Sequence, residues 1–176
     1  MDAPEISTKR LFLRPLRQSD DAALFAAVTS DPKVMQYWDW PEHDSIEITT
    51  AFVAAELEET AGGTACYWAI CLEPHGDAIG TCDLSEIDEH HKRAEVGFMI
   101  ARKYWGGGIA FEAMLAVLEF GKNALGIERF SARTHAGNDR SAALLKRLGF
   151  QLEGTLKGYI VREGVRRDCW IFGRAL

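Results

Sequence analysis

Apolar residues recur along this chain with two periods, and the changes of period mark out its elements. Arg10–Arg17 alternates in part and predicts a first strand, with Pro15 suggesting a sheet edge. Ser19 and Asp20 then cap a predicted helix to about Thr29, and Asp31-Pro32 starts a short helical turn carrying Val34 and Met35. After the aromatic segment Tyr37-Trp38-Asp39-Trp40-Pro41, Ser45 begins a helix to about Thr60, with Ile48, Phe52, Ala55 and Leu57 as its expected buried positions and Gly62-Gly63 as its end. Between Thr64 and Ala101 the period shortens. Thr64–Leu72, Ala78–Ile87 and about His91–Ala101 read as three strands of an antiparallel meander, the first two joined by the turn composition Glu73-Pro74-His75-Gly76-Asp77.

The third strand runs into Arg102-Lys103-Tyr104-Trp105-Gly106-Gly107-Gly108-Ile109-Ala110, and a helix runs out. Its stripe is Ala110, Ala113, Met114, Val117, Leu118, Gly121 and Leu125, and Gly126 stops it. Ile127–Thr134 is then a strand parallel to the one before the loop, because a strand, helix, strand unit is a crossover. Asn138 caps a second crossover helix, Asp139–Leu148, closed by Gly149, and Phe150–Val161 and Val165–Ala175 form a hairpin across Arg162-Glu163-Gly164. The order β, α, α, β, β, β, α, β, α, β, β is α+β in class with one mixed sheet. At 176 residues a single domain spanning the whole chain is expected, ordered apart from the first few residues.

Composition narrows the function classes. The chain is 47% apolar and 26% charged, with a formal net charge of -6. That balance disfavours nucleic acid, whose binding needs a basic face, and suits a cationic small molecule or basic peptide. Arg162, Arg166 and Arg167 read as a solvated basic run. The four cysteines, Cys66, Cys71, Cys82 and Cys169, form no C-x-x-C pair and read as reduced core thiols. Asp2 and Glu5 precede no apolar run, and no segment approaches the length of a membrane span, so a cytoplasmic protein with no membrane partner is expected.

Chemistry concentrates at the glycine loop. No Ser, Thr, Asp or Asn stands ready to cap the helix after it, so the first amides need another acceptor. Glycines remove Cβ atoms where a ligand would approach, and a helix N-terminus favours an anion such as phosphate; tight turning and packing is the alternative reading of the triplet. The Walker pattern fails because Ile109-Ala110 follows the last glycine, and G-x-G-x-x-G fails at Phe111. Trp38 and Trp40, with Asp39 and Glu42, could either cover a core edge or wall a site for an ammonium group. His90-His91 lacks a third partner and reads as a turn, so no metal is expected, and no G-x-S-x-G elbow occurs.

Lys103-x-x-Gly106-x-Gly108, within Tyr-Trp-Gly-x-Gly-Ile-Ala-x-Glu-Ala ending at Ala113, resembles the acyl-CoA pyrophosphate loop of the GNAT N-acetyltransferase superfamily. Asn138-Asp139-Arg140-Ser141, followed by Leu144, Leu145, Leu148, Gly149 and Phe150, resembles the N-x-x-S…L-G-F segment of its RimJ/RimL-like branch. The resemblance extends from about Arg10 to the C-terminus and is weakest in residues 30 to 63. It implies a sheet splayed between the strands flanking the glycine helix, with acetyl-CoA as acyl donor. Amides of Gly106, Gly107, Gly108, Ile109 and Ala110 would hold the pyrophosphate, and the main chain of Phe98, Met99 and Ile100 would pair with pantetheine. Arg102 and Lys103 would add positive charge, and Asn138 would bond the pantetheine arm or serve only as a helix cap.

The implied reaction is direct acetyl transfer to a primary amine, either the N-terminal amine of a ribosomal or other protein or a small molecule such as an aminoglycoside-like antibiotic. The amide near Met99 is the expected donor to the carbonyl oxygen. Glu95, or Glu86 or Asp88 through water, would take the proton, and Glu86 and Asp88 would border the acceptor with Trp38 and Trp40. Many members carry a tyrosine acid seven residues after the motif asparagine, where this chain has Leu145. Ser141 is the substitute, donating to the sulfur. A non-catalytic acyl-CoA-binding regulator is the competing reading, and a homodimer is a candidate assembly.

Overall fold

The computed structural model describes residues 3–176. Its centre is one eight-stranded sheet in the order β1-β2-β3-β4-β5-β6-β8-β7. In chain order these strands are β1 (Ile6–Ser7), β2 (Phe12–Pro15), β3 (Cys66–Cys71), β4 (Gly80–Asp88), β5 (Arg93–Ile100), β6 (Arg129–His135), β7 (Gln151–Arg162) and β8 (Val165–Ala175). Every neighbouring pair is antiparallel except β5 with β6. The helices are α1 (Asp21–Leu24), α2 (Pro32–Met35), α3 (Ile46–Ala61), α4 (Ile109–Leu125) and α5 (Asp139–Arg147).

Two helical layers cover the two faces, which is why all six residues of Cys66–Cys71 are buried. Side chains alternate along a strand, so Cys66, Trp68 and Ile70 pack with Met114, Val117 and Leu118 of α4, whereas Tyr67, Ala69 and Cys71 pack with Leu24, Val28, Met35 and Val53. Gly121 lets α4 lie close to the sheet, since a Cβ there would meet Leu84 and Phe130 at 3.0 Å.

Several expectations shift in the structure. The first strand is short and β1 lies outside it, so Pro15 is not on the sheet's outermost strand; it sits past the two residues that β1 pairs. Asp20 accepts from the Arg17 amide at 2.8 Å and pairs with buried Arg14 at 2.6 Å. The helix that Ser19 and Asp20 were expected to cap is instead a short α1 continuing into a wider π turn at Phe25–Thr29. Asp31 caps α2 as expected, accepting from the Lys33 amide. In α3 the buried positions are Thr49, Val53 and Glu56, while Ile48 and Ala55 are exposed. Polar and apolar residues are mixed around this helix, and on its inner face Thr49 bonds Thr29 at 2.7 Å and His43 at 2.8 Å.

The N-terminal segment is packed from Ala3, which is buried, and Pro4 accepts from the Trp68 indole at 2.7 Å. Met1 and Asp2 lie outside the described residues. The final hairpin turns on Glu163 and Gly164, both left-handed at φ 52° and 75°, as a tight two-residue turn requires. Arg162 is buried, contrary to its reading as part of a solvated run, and donates to the Met35 and Trp38 carbonyls. Among the described residues no helix is long and apolar enough to cross a membrane.

Candidate active site

The parallel joint is where the sheet opens. β5 and β6 pair only at Arg93–Arg129, Ala94–Phe130 and Glu95–Ser131, and beyond Glu95 they part. A cavity of about 840 Å³ passes through the gap, bordered on one side by α4, α5 and the glycine loop and on the other by α3 and the aromatic loop. Gly97 sits just past the last paired residue, and a Cβ there would strike the carboxyl group of Asp83 across the strand pair.

Strand alternation decides which main-chain groups face this gap. The Ala101 amide donates to Ile79 at 2.9 Å, and a Cβ at Gly80 would run into the Met99 carbonyl oxygen, so Met99 turns its main chain toward β4. Phe98 and Ile100, two of the three residues expected to pair with pantetheine, face the gap, and the Ile100 carbonyl accepts from the Trp105 indole at 2.9 Å. The amide expected from Met99 is replaced in position by those of its neighbours.

At the loop, Gly106 and Gly108 have φ of 78° and 76°, a left-handed backbone that favours glycine. Gly108 is the N-cap of α4, and no side chain caps the helix, as its sequence implied. The loop is held from outside by Arg10, which donates to the Gly107 carbonyl at 2.8 Å and pairs with Glu112 at 2.7 Å. Gly107 itself borders a smaller outer hollow rather than the through-sheet cavity, which Gly106, Gly108, Ile109 and Ala110 line.

The two cations expected beside the loop point elsewhere. Arg102 pairs with Asp31 at 2.9 Å, Lys103 lies 5.0 Å over the Tyr104 ring, and neither lines the cavity. Their place is taken by Arg140, stacked 3.6 Å from the Trp105 ring, and Arg147, 3.9 Å from the Phe111 ring. Both stand on α5, one turn-pair apart on the face turned toward the loop, and both line the cavity. Arg140 is inside the motif that marked Asn138, so its spacing was available in the sequence; the stacking was not.

Asn138 caps α5 by accepting from the Ser141 amide at 3.2 Å and donates to Thr134 at 2.9 Å. Each end of its amide keeps one further bonding site. Ser141 lines the cavity in the first turn of α5, and its hydroxyl makes no hydrogen bond to another described residue. Leu145, one turn on, is buried against the same space.

On the other side, Trp38, Trp40 and Phe52 form a continuous aromatic wall, with ring centroids 5.2 Å and 6.0 Å apart in sequence. Buried Arg162 fixes this wall through the Trp38 carbonyl. Asp39 bonds His135 at 3.0 Å. Glu95 lines the cavity beside Arg133 at 2.9 Å, and burial lifts its pKa although Arg133 pulls it down. Glu86 reaches the same arginine at 2.7 Å without lining the cavity. Asp88 is a correction: it is the last residue of β4, bonded to His91 and Arg93, away from the cavity.

Three acids went unremarked in the sequence. Asp83 is half-buried, with a pKa raised to about 7 by desolvation, against hydrogen bonds from Ser85 and the Gly97 amide and with a further push from Glu95. Glu56 is raised well above the carboxylate range by burial and by Asp83 and Glu59. Glu59 accepts from Tyr67 at 2.7 Å, and burial drives the Tyr67 pKa up too. The alternation of Cys82, Asp83, Leu84 and Ser85 placed Asp83 on a polar strand face, which reads as solvent until α3 is known to lie over it.

A sheet parted at its one parallel joint, with an uncapped glycine-led helix on one side and carboxylates on the other, defines an acyl-group transferase of α+β architecture. The chain belongs to the GNAT acetyltransferase family: the profile described as Acetyltransferase (GNAT) domain matches residues 10–151. It is 32% identical over 172 residues to the uncharacterized N-acetyltransferase YoaA of Bacillus subtilis, covering 96% of this chain and 95% of that one. It is 28% identical over 168 residues to the [ribosomal protein uS5]-alanine N-acetyltransferase of Escherichia coli, covering 93% and 86%. The fold matches an apo structure of RimL, ribosomal L7/L12 alpha-N-protein acetyltransferase, with a TM-score of 0.88 at 25% identity over 98% of this chain and 94% of that one.

Proposed function

We propose that this chain, as a RimJ/RimL-like enzyme of the cytoplasm, transfers an acetyl group from acetyl-CoA to a primary amine entering from the α3 side. The observation that carries the reading is the continuity of one cavity from the glycine loop, through the β5–β6 gap, to the acid and aromatic lobe. The residues fit the donor. The uncapped N-terminus of α4, Arg140 and Arg147 would hold its phosphates, and Phe98, Ile100 and Asn138 its pantetheine arm. Acetyl-CoA supplies an activated thioester carbonyl.

The protein's own contribution is placement, proton removal and charge stabilisation. The amine must be neutral to attack; about 0.1% of a lysine amine is neutral near pH 7.4, but about a fifth to a third of an α-amine. Asp83, with a pKa of about 7 and beside the gap at Gly97, is tuned to accept the proton near neutral pH. Glu95 shares its charge with Arg133, which orients it and makes it the weaker base of the two. The amine's lone pair forms the C–N bond while the C–S bond breaks and the sulfur leaves with that bonding pair. The amides of Phe98 and Ile100 and the Ser141 hydroxyl are the donors in reach of the charge that develops on oxygen and on sulfur.

Release of free thiol from acetyl-CoA, measured across a panel of small amines and N-terminal peptides, tests the reading. Thiol release matched by an acetylated amine in the mass spectrum is expected. The buried, apolar Leu145 at the place of the usual acid favours one alternative, a regulator that binds the donor without turnover. Tight CoA binding with no thiol release from any amine would establish that alternative instead.

A further inference from the structure

We propose that the lobe under α3 contains a subsite for a second, permanently charged ammonium of the acceptor, formed by Glu56 and Glu59 with Tyr67 and the rings of Trp38, Trp40 and Phe52. The acceptor class is therefore a compact aliphatic diamine or polyamine. This rests on the transfer reading above and specifies its substrate.

The first observation is the charge balance within the lobe. Five carboxyl groups line the cavity on this side: Asp39, Glu56, Glu59, Asp83 and Glu95. Among the described residues Glu95 pairs with Arg133 at 2.9 Å and Asp39 with His135 at 3.0 Å. Glu59 has only the Tyr67 hydroxyl, and Asp83 only Ser85 and the Gly97 amide. Lys33 lines the same cavity but makes no ion pair with any of them. Glu56, Glu59 and Asp83 are close enough to raise one another's proton affinity, so the fold gathers three carboxyl groups to which the described residues supply no ion-pair partner.

The second observation is independent of the cluster's charge. Glu56 is nine-tenths buried on the inner face of α3, and its Oε2 has no hydrogen-bond partner among the described residues. A buried polar atom of this kind is costly, and it persists where something outside the chain partners it. A monoamine cannot do so through the reaction. It must give up its charge before it attacks, and its amide product is neutral. A second ammonium on the same molecule stays charged from binding to release. With one nitrogen at the gap beside Asp83 and Gly97, the alkyl chain lies along the aromatic wall, and the second nitrogen meets Glu56 and Glu59 with a ring face beside it.

The test compares the diamine putrescine with butylamine, its monoamine counterpart, on the full chain and on Glu56→Gln and Glu59→Gln. Thiol release with acetyl-CoA should give wild type a kcat/KM for putrescine at least about thirtyfold above that for butylamine, carried by KM. In Glu56→Gln that ratio should collapse toward one, and in Glu59→Gln, whose side chain is more open, it should fall part of the way. A second readout needs no turnover: without acetyl-CoA, putrescine should raise the melting temperature of wild type more than that of Glu56→Gln. Equal kcat/KM for the two amines, or a ratio unchanged in both variants, overturns the subsite while leaving acetyl transfer in place. No thiol release from any amine, together with a putrescine-induced stabilisation that Glu56→Gln loses, keeps the subsite and overturns transfer.

Discussion

Ser141 and Asn138 sit three residues apart on one helix start and should separate cleanly on mutation. The Ser141 hydroxyl has no partner among the described residues, so Ser141→Ala should lower kcat about tenfold or more, while CoA affinity, read by calorimetry, stays within about twofold. An unchanged kcat removes it from the chemistry. Arg140 and Arg147 behave in the opposite way. Each holds a guanidinium against a ring at the glycine-loop end of the cavity, and Arg147→Ala should weaken CoA about tenfold, or about 1.4 kcal/mol, with kcat at saturation little altered. Arg102→Ala, which breaks only the exposed pair with Asp31, should leave CoA binding as it was.

Elements carry the second layer of the account. The strand, glycine loop and helix from Ala94 to Leu125 were legible because their period, their missing cap and their crossover all point one way. The parted joint follows from them, since β5 and β6 share three pairs and then diverge around Gly97. The acceptor side was less legible. Polar and apolar residues are spread around all sides of α3, so no period marks its inner face, and only packing shows that Glu56 rather than Ala55 is turned inward. Arg162 was hidden for a related reason: its partners are main-chain carbonyls more than a hundred residues away, which no local pattern records. Because it pins the loop of Trp38 and Trp40 from β7, Arg162→Ala should raise the acceptor KM about fivefold or more and leave CoA affinity unchanged. Equal loss of both affinities would mean that the hairpin supports the whole fold rather than the aromatic wall.

At the scale of the whole molecule, the buried acids couple stability to pH. The Asp83 pKa is higher in the folded chain, at about 7, than its ordinary 3.8. The folded state therefore binds the extra proton, and this contribution to stability is complete below about 3.8 and is lost as pH rises through about 7. Glu56 shifts in the same direction. The groups that set this balance are Glu56 and Glu59 on α3, Tyr67 on β3, Ser85 on β4, Glu95 on β5 and Arg133 on β6. The melting temperature should accordingly fall between about pH 4 and 7, and Asp83→Asn should flatten that slope. A slope unchanged in the variant would show that Asp83 is already ionised in the folded chain.

The central claim is that one cavity joins an anion-binding helix start to the parted strands. Calorimetric titration of CoA into the folded protein tests it most directly. The account predicts one site per chain with a dissociation constant in the micromolar range, weakened about tenfold by Arg147→Ala and little changed by Arg102→Ala. No heat of binding at millimolar CoA, or equal affinity in wild type and Arg147→Ala, would contradict it.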